Sequence, residues 1–317
     1  MLRLRELLER EGDPLQLEAL TGEAGLDRQV QDPEVASPGL ALAGYVGRFA
    51  PHRLHVLGET EITYLNGLAA DERLHRLEQF FNFDLPCLFI TKGLDAPADL
   101  LRLAQEHGVP LLRSRLKTAE FYRRVKPVLE EAFAPRTTLH GSLADVYGVG
   151  LLFIGRSGIG KSECVLDLVE RGHRLVADDV VQVTRRGADI LIGRGHELAA
   201  HHMEIRGIGL IDVQALFGIR AVRQQKRIEV VVQLEIWDAE RNYSRTGLEE
   251  DETEILGVKV PRVTVPLNPG KNITVISEVV AMNHLLRYAG VHSAQAFDRH
   301  IKDQMKPIRE YLEQDYE

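Results

Sequence analysis

The sequence predicts an α/β protein of two parts: a small N-terminal α/β domain and a larger domain built around a phosphate-binding loop. Three observations predict it. The chain has 317 residues, 44% of them hydrophobic, which is more than one core usually holds, since single cores stop growing at roughly 250 residues. From residue 54 onward, strand-like and helix-like stretches alternate, as in a layered α/β fold. Near mid-chain an apolar run enters "GRSGIGKS", Gly155 to Ser162, and a helix-like pattern leaves it.

The opening "MLRLRELLEREGDP" alternates Leu with Arg and Glu at helical spacing, and it has neither the apolar centre nor the cleavage site of a signal peptide. The stretches "RLHVLGETEITYL", "DERLHRLEQFFNF", "LPCLFITKG", "APADLLRLAQEHG", "VPLLRS" and "TAEFYRRVKPVLEEAF" then follow. They carry no phosphate loop, no metal-ligand spacing and no nucleophile with a base. Packing, regulation or assembly is the expected role of this part. The segment "APRTTLHGSLADVYG" breaks both periodicities and gathers Pro, Gly, Thr and Ser. It places the boundary near residues 130 to 138 and divides the chain into 1–132 and 133–317. The tail "IREYLEQDYE" reads as an acidic helix end.

Composition excludes several classes. A net charge of -8 leaves no general basic face for nucleic acid. Runs such as "LPCLFI" and "GVGLLFI" are far too short to span a bilayer, so no membrane partner is expected. Two cysteines, Cys87 and Cys164, form neither a disulfide framework nor a structural zinc site, and the cytoplasm is the expected compartment.

"GRSGIGKS" fits G-x-x-x-x-G-K-S/T, with "GVGLLFI" entering as a strand and "SECVLDLVERG" leaving as a helix. Gly155, Arg156, Ser157, Gly158, Ile159 and Gly160 turn backbone N–H groups inward, and the following helix adds the positive end of its dipole. Lys161 reaches the outer phosphates of a nucleotide, and Ser162 offers Mg²⁺ a hard oxygen ligand.

Two segments compete to supply the carboxylate: "HRLVADDVVQV", with Asp178 and Asp179, and "EVVVQLEIWD", with Asp238. If the first continues as a strand, its neighbours face opposite ways and only one of the two aspartates points at the phosphates. The residues alone leave either one as the base, a role that contributes roughly 10²- to 10⁴-fold to rate. In "GHELAAHHMEIRGIGLID" the zinc spacing H-E-x-x-H fails, because Ala200 stands where a histidine is needed. Glu204 and Arg206, two apart, share a face if extended and suit a metal ligand and a phosphate clamp.

The ordered set "HGS", "GRSGIGKSE", "RGHRLVADD", "EIRGIGLIDV", "AVR", "LEIWD" and "VPLNPGKN" resembles the HPr kinase/phosphorylase family of bacterial carbon regulation over essentially the full chain. The resemblance implies a phosphate-loop kinase domain akin to phosphoenolpyruvate carboxykinase, assembled as a homohexamer. It implies transfer of phosphate from ATP, or from pyrophosphate, to a serine of the carrier protein HPr. It also implies removal of that phosphate by inorganic phosphate, giving pyrophosphate. Carried over by position, Gly155 to Ser162 hold the nucleotide, and Ser162 and Glu204 ligate Mg²⁺. His140, Lys161, Asp179 and Arg245 are catalytic, with Arg206 assisting and Asp178 beside the base. Pro266, Leu267, Asn268, Pro269, Gly270 and Lys271 form the phosphorolysis segment.

Two positions depart from the family pattern. Arg156 stands where many members have an acidic or small residue, and Lys271 stands where the segment usually carries Arg. Lysine is a point charge and arginine a planar fork, so the second change bears on oxyanion binding. A small-molecule kinase and a non-catalytic nucleotide-sensing regulator share the loop. A GTPase is disfavoured, because "TKGLD" at 91 to 95 has one residue too many for the guanine-reading motif and precedes the loop.

Overall fold

The computed structural model describes residues 2–196, 200–238, 240, 251–268 and 270–314, with side chains as far as residue 305. The chain divides into two compact units, Met1–Ala134 and Pro135–Glu317. In the first follow β1 (Leu2–Arg3), α1 (Leu4–Leu15), β2 (Leu17–Ala19), β3 (Gln29–Val30), β4 (Val35–Ala36) and α2 (Gly39–Leu42). Then come β5 (Leu54–Leu57), α3 (Glu59–Gly67), α4 (Ala70–Phe81), β6 (Leu88–Ile90), α5 (Ala98–Glu106), β7 (Leu111–Ser114) and α6 (Thr118–Phe133).

Five strands of this unit form a sheet in the order β2-β7-β6-β5-β4. Strands β4 to β7 run parallel and β2 antiparallel. Every residue of β5 and β6 is buried, as expected of parallel strands covered on both faces. Leu57, Leu88 and Ile90 pack with Leu65, Leu77, Phe80 and Leu103 of α3 to α5. Leu54, Val56 and Phe89 face the other way, toward Phe121 and Val125 of α6. The stretch "RLHVLGETEITYL" splits, because the Glu61 carboxylate accepts from Gly58 N at 2.8 Å and starts α3 there.

The second unit runs β8 (Arg136–His140), β9 (Ser142–Val146), β10 (Val149–Ile154), α7 (Lys161–Glu170), β11 (Arg174–Ala177), β12 (Val180–Arg186) and β13 (Ile190–Arg194). It continues with β14 (His202–Ile205), β15 (Gly209–Asp212), α8 (Val213–Phe217), β16 (Gln225–Arg227) and β17 (Val230–Ile236). The last described elements are β18 (Asp251–Ile255), β19 (Val258–Leu267), α9 (Ile273–Tyr288) and α10 (Ser293–Gln314). A six-stranded sheet has the order β11-β9-β10-β17-β19-β18, and a four-stranded one the order β16-β13-β12-β8. "APRTTLHGSLADVYG" is therefore mostly strand, although it breaks the periodicities a strand would show.

Alternation along β10 explains the layering. Leu151 and Phe153 face Val165, Leu168 and Ala281 of α7 and α9, while Leu152 faces Val181, Val183 and Leu191 of the smaller sheet. Cys164, Val165, Leu168 and Val169 form the buried stripe of α7, each large apolar side chain contributing about 1.5 to 3 kcal/mol when fully buried. That stripe fixes which face of α7 lies on the sheet.

Candidate phosphoryl-transfer site

Strands β10, β17 and β19 are parallel neighbours, so their carboxyl ends open on one edge of the sheet, where ligands of α/β folds bind. The loop Gly155–Gly160 leaves β10 there and enters α7. Gly155 has φ 151, and a Cβ on it would lie 2.6 Å from Leu234 O of β17. Only glycine lets the two backbones approach so closely. Gly158, at φ 74, would place a Cβ 2.2 Å from Arg206 Nη1. The Arg206 guanidinium therefore lies over the loop, and its Nη2 donates to Ser157 Oγ at 3.5 Å.

Lys161 is 6% exposed, and a buried ammonium needs acceptors. Its Nζ donates to Gly155 O and Arg156 O, each at 3.2 Å, and contacts His140 Nε2 at 3.4 Å. An ammonium has no lone pair, so Nε2 is the acceptor in that contact and the proton of a neutral imidazole sits on Nδ1. That Nδ1 stands 3.0 Å from Asp179 Oδ1. A continuous path thus runs from Lys161 through His140 to Asp179.

The two aspartates are not opposed residues of one strand. β11 ends at Ala177 and β12 begins at Val180, and Asp179 takes φ 62, a left-handed conformation that aspartate adopts more readily than most side chains. The strand premise fails at this kink, yet the two carboxylates still point different ways. Asp178 Oδ1 accepts from Ser162 Oγ at 2.9 Å and from Ser142 Oγ at 2.5 Å. Burial pushes the Asp178 carboxyl above the usual carboxylate range, against the opposing pull of Ser142, Ser162 and the backbone of Asp179 and Glu204. The Asp179 side chain is 63% exposed and faces outward, where a second molecule can reach it.

Glu204 lies on β14 between buried Met203 and Ile205, which alternation turns away from the core, and its backbone touches Asp178. Ser162 Oγ and the Asp178 carboxylate thus meet beside the Glu204 backbone, and hydroxyl and carboxylate oxygens are the groups that suit Mg²⁺. Among the described residues no cluster of His, Cys, Asp and Glu has metal-site geometry of its own. Asp238 follows β17 and its Oδ1 accepts from Glu240 N at 3.0 Å. Asn268, Gly270 and Lys271 follow β19, with Pro266 and Leu267 its last residues. Lys271 Nζ donates to Pro266 O at 2.8 Å. Arg245 and Pro269 lie outside the described residues. The residue that sequence reasoning left without a role is Ser142, although it stood inside the quoted "HGS".

Two family profiles match the chain. Residues 2–129 match one described as HPr Serine kinase N terminus, and residues 131–301 one described as HPr Serine kinase C-terminal domain. The chain belongs to the HPr serine kinase family. A protein named HPr kinase/phosphorylase from Chloroherpeton thalassium is 46% identical over 300 residues, covering 92% of this chain and 88% of that protein. One of the same name from Bacillus cytotoxicus is 43% identical, covering 95% of this chain and 96% of its own length. A solved structure titled HPr(Ser) kinase/phosphatase from Coxiella burnetii is 34% identical, with a TM-score of 0.46, covering 51% of this chain and 98% of that one. Among the described residues no helix of this HPr kinase family member is long and apolar enough to cross a membrane.

Proposed function

We propose that this chain moves a phosphoryl group between ATP and a serine of the carrier protein HPr, in both directions. The single observation that carries the reading is the division of labour between adjacent carboxylates. Asp178 is tied inward to Ser162 and Ser142, while Asp179 faces outward and is joined through His140 to Lys161.

In the forward direction the loop amides and Lys161 hold the outer phosphates and offset charge on the transferring group, where preorganised donors act most strongly. Asp179 accepts the proton of the serine hydroxyl. The serine oxygen forms its bond to the γ-phosphorus as the bond to the β-γ bridging oxygen breaks, and ADP departs. In reverse, an oxygen of inorganic phosphate attacks the phosphoserine phosphorus. The P–O bond to serine breaks, Asp179 returns a proton to the serine oxygen, and pyrophosphate leaves. One residue serves both directions by microscopic reversibility. Read backward, the second reaction makes pyrophosphate an alternative donor.

Mg²⁺, when bound by Ser162, Asp178 and Glu204, supplies charge neutralisation at the polyphosphate. Arg206 and Arg245 are assigned to the same phosphates, and Pro266 to Lys271 to the attacking phosphate. We assign the protein to the cytoplasm. The exposed apolar residues Val279, Met282 and Tyr288 of α9 and Phe297 of α10 support self-association, which we assign as a hexamer. The N-terminal unit is assigned to assembly or regulation.

Incubation with γ-labelled ATP, Mg²⁺ and purified HPr tests the reading in one gel. Label on a serine of HPr supports it. ATP binding without any transfer contradicts it.

A further inference from the structure

The motif "RGHRLVADD" gives the catalytic reading its aspartates but leaves "RGH" without a task. The structure supplies a partner for it. Glu278, in the second turn of α9, is 6% exposed, and a carboxylate so deep in protein requires counter-charge. Arg171 Nε and Nη2 donate to its two oxygens at 2.8 and 2.7 Å, a paired-fork geometry that fixes orientation as well as charge. His173 Nε2 lies 3.1 Å from Oε1, and the His173 ring is held edge-on by Tyr147 at 4.6 Å between centroids. The Arg171 fork holds the Glu278 carboxyl below the usual range against the opposing effect of burial, and His173 adds to it.

The position of this cluster matters more than its energy. Arg171 caps the carboxyl end of α7, whose amino end begins at the phosphate loop. His173 immediately precedes β11, which leads into Asp178 and Asp179. Glu278 belongs to the helix that begins right after Lys271 and Asn272. The same two helices are joined again by Thr274 Oγ1, which donates to Asp167 Oδ2 at 3.2 Å, and by the approach of Ser277 Oγ to Cys164 Sγ at 3.8 Å. Beside the apolar packing of Val165 and Leu168 with Ala281, these three polar contacts set the register of α9 on α7.

We propose that Glu278 is a positioning residue for phosphorolysis. By gripping Arg171 and His173 it fixes the start of α9, and with it Lys271, relative to the phosphate loop at the start of α7, so that attacking phosphate and phosphoryl group stay aligned. This rests on the proposed function above. Forward transfer from ATP depends on the loop itself and tolerates a shift of α9. Attack by a separately bound phosphate does not, since a misplacement of about 1 Å can cost about 10²-fold.

Glu278→Gln keeps the shape and removes the charge. Arg171→Lys, at a half-exposed side chain, keeps the charge and removes the fork, and it decides the matter should Glu278→Gln not fold. For the full chain with phospho-HPr, the KM for inorganic phosphate is expected to rise about tenfold in Glu278→Gln and severalfold in Arg171→Lys. The KM for ATP in the forward reaction should stay within about twofold. The dissociation constant of pyrophosphate, read by titration calorimetry, should rise with the KM for phosphate. An unchanged KM for phosphate, or a parallel decline of both reactions that tracks a lower thermal midpoint, overturns the inference and leaves the cluster purely structural. Absence of phosphorolysis from the unaltered chain, with kinase activity present, overturns both the inference and the phosphorolytic half of the proposed function.

Discussion

His140 stands between Lys161 and Asp179, its Nε2 3.4 Å from the lysine ammonium and its Nδ1 3.0 Å from the aspartate Oδ1. One imidazole thereby sets the direction of both the cation that faces phosphate and the base that faces serine. His140→Ala should lower kcat in both directions by roughly 10- to 10²-fold, in the range of a lost orienting group rather than of the base itself. The KM for ATP should change little, because the loop amides are untouched. Steady-state rates at saturating ATP and at saturating phosphate check this.

Lys161 spends its donors on Gly155 O, Arg156 O and His140, so its removal strips charge from the loop and unties His140 together. Lys161→Ala should reduce transfer to HPr by at least about 10²-fold, the usual loss for one preorganised donor. Transfer at the unaltered rate would remove the loop from the mechanism.

Lys271 Nζ rests on Pro266 O at 2.8 Å, within the segment assigned to attacking phosphate. A guanidinium at that position can hold an oxyanion with two parallel hydrogen bonds where an ammonium offers a point charge. Lys271→Arg should therefore raise phosphorolysis severalfold and leave the ATP-driven rate nearly unchanged. Equal effects on the two rates would count against the segment's role.

What the sequence made legible follows from how local each signal is. The phosphate loop shows directly, because Gly155, Gly158 and Gly160 all take positive φ within one short turn. The amphipathic α1 and α6 show for the same reason. β8 escaped notice because it is an edge strand of the small sheet whose residues alternate only between exposed and half-buried, which leaves no apolar stripe to read. The kink at Asp178 and Asp179 is imposed by pairing of β8 with β12 and of β9 with β11, partners 29 to 48 residues away. Glu278 stands in the apolar run "ITVISEVVAM", and only its contacts across the helix pair explain it.

In the N-terminal unit, His55 is 1% exposed and stacks on Phe49 with ring centroids 4.8 Å apart. Burial pulls its imidazole down to about 4 from the usual 6.5. The unfolded chain therefore holds the His55 proton more tightly than the folded one. Its contribution to stability is full above about pH 6.5 and declines as pH falls toward 4, by on the order of 3 kcal/mol in all. Hydrogen exchange across Leu54–Leu57, corrected for intrinsic rates, should show weaker protection at pH 5 than at pH 7.5. His55→Leu should flatten that difference while costing some protection at pH 7.5, and an undiminished pH dependence in the variant would assign the effect to another group.

The most direct measurement of the central claim compares Asp179→Asn with Asp178→Asn for label entering HPr from ATP and leaving phospho-HPr to phosphate. With Asp179 as the outward base, Asp179→Asn should lose about 10²-fold or more in both directions and still bind ATP. Retention of both rates in Asp179→Asn, with their loss in Asp178→Asn, would contradict the account.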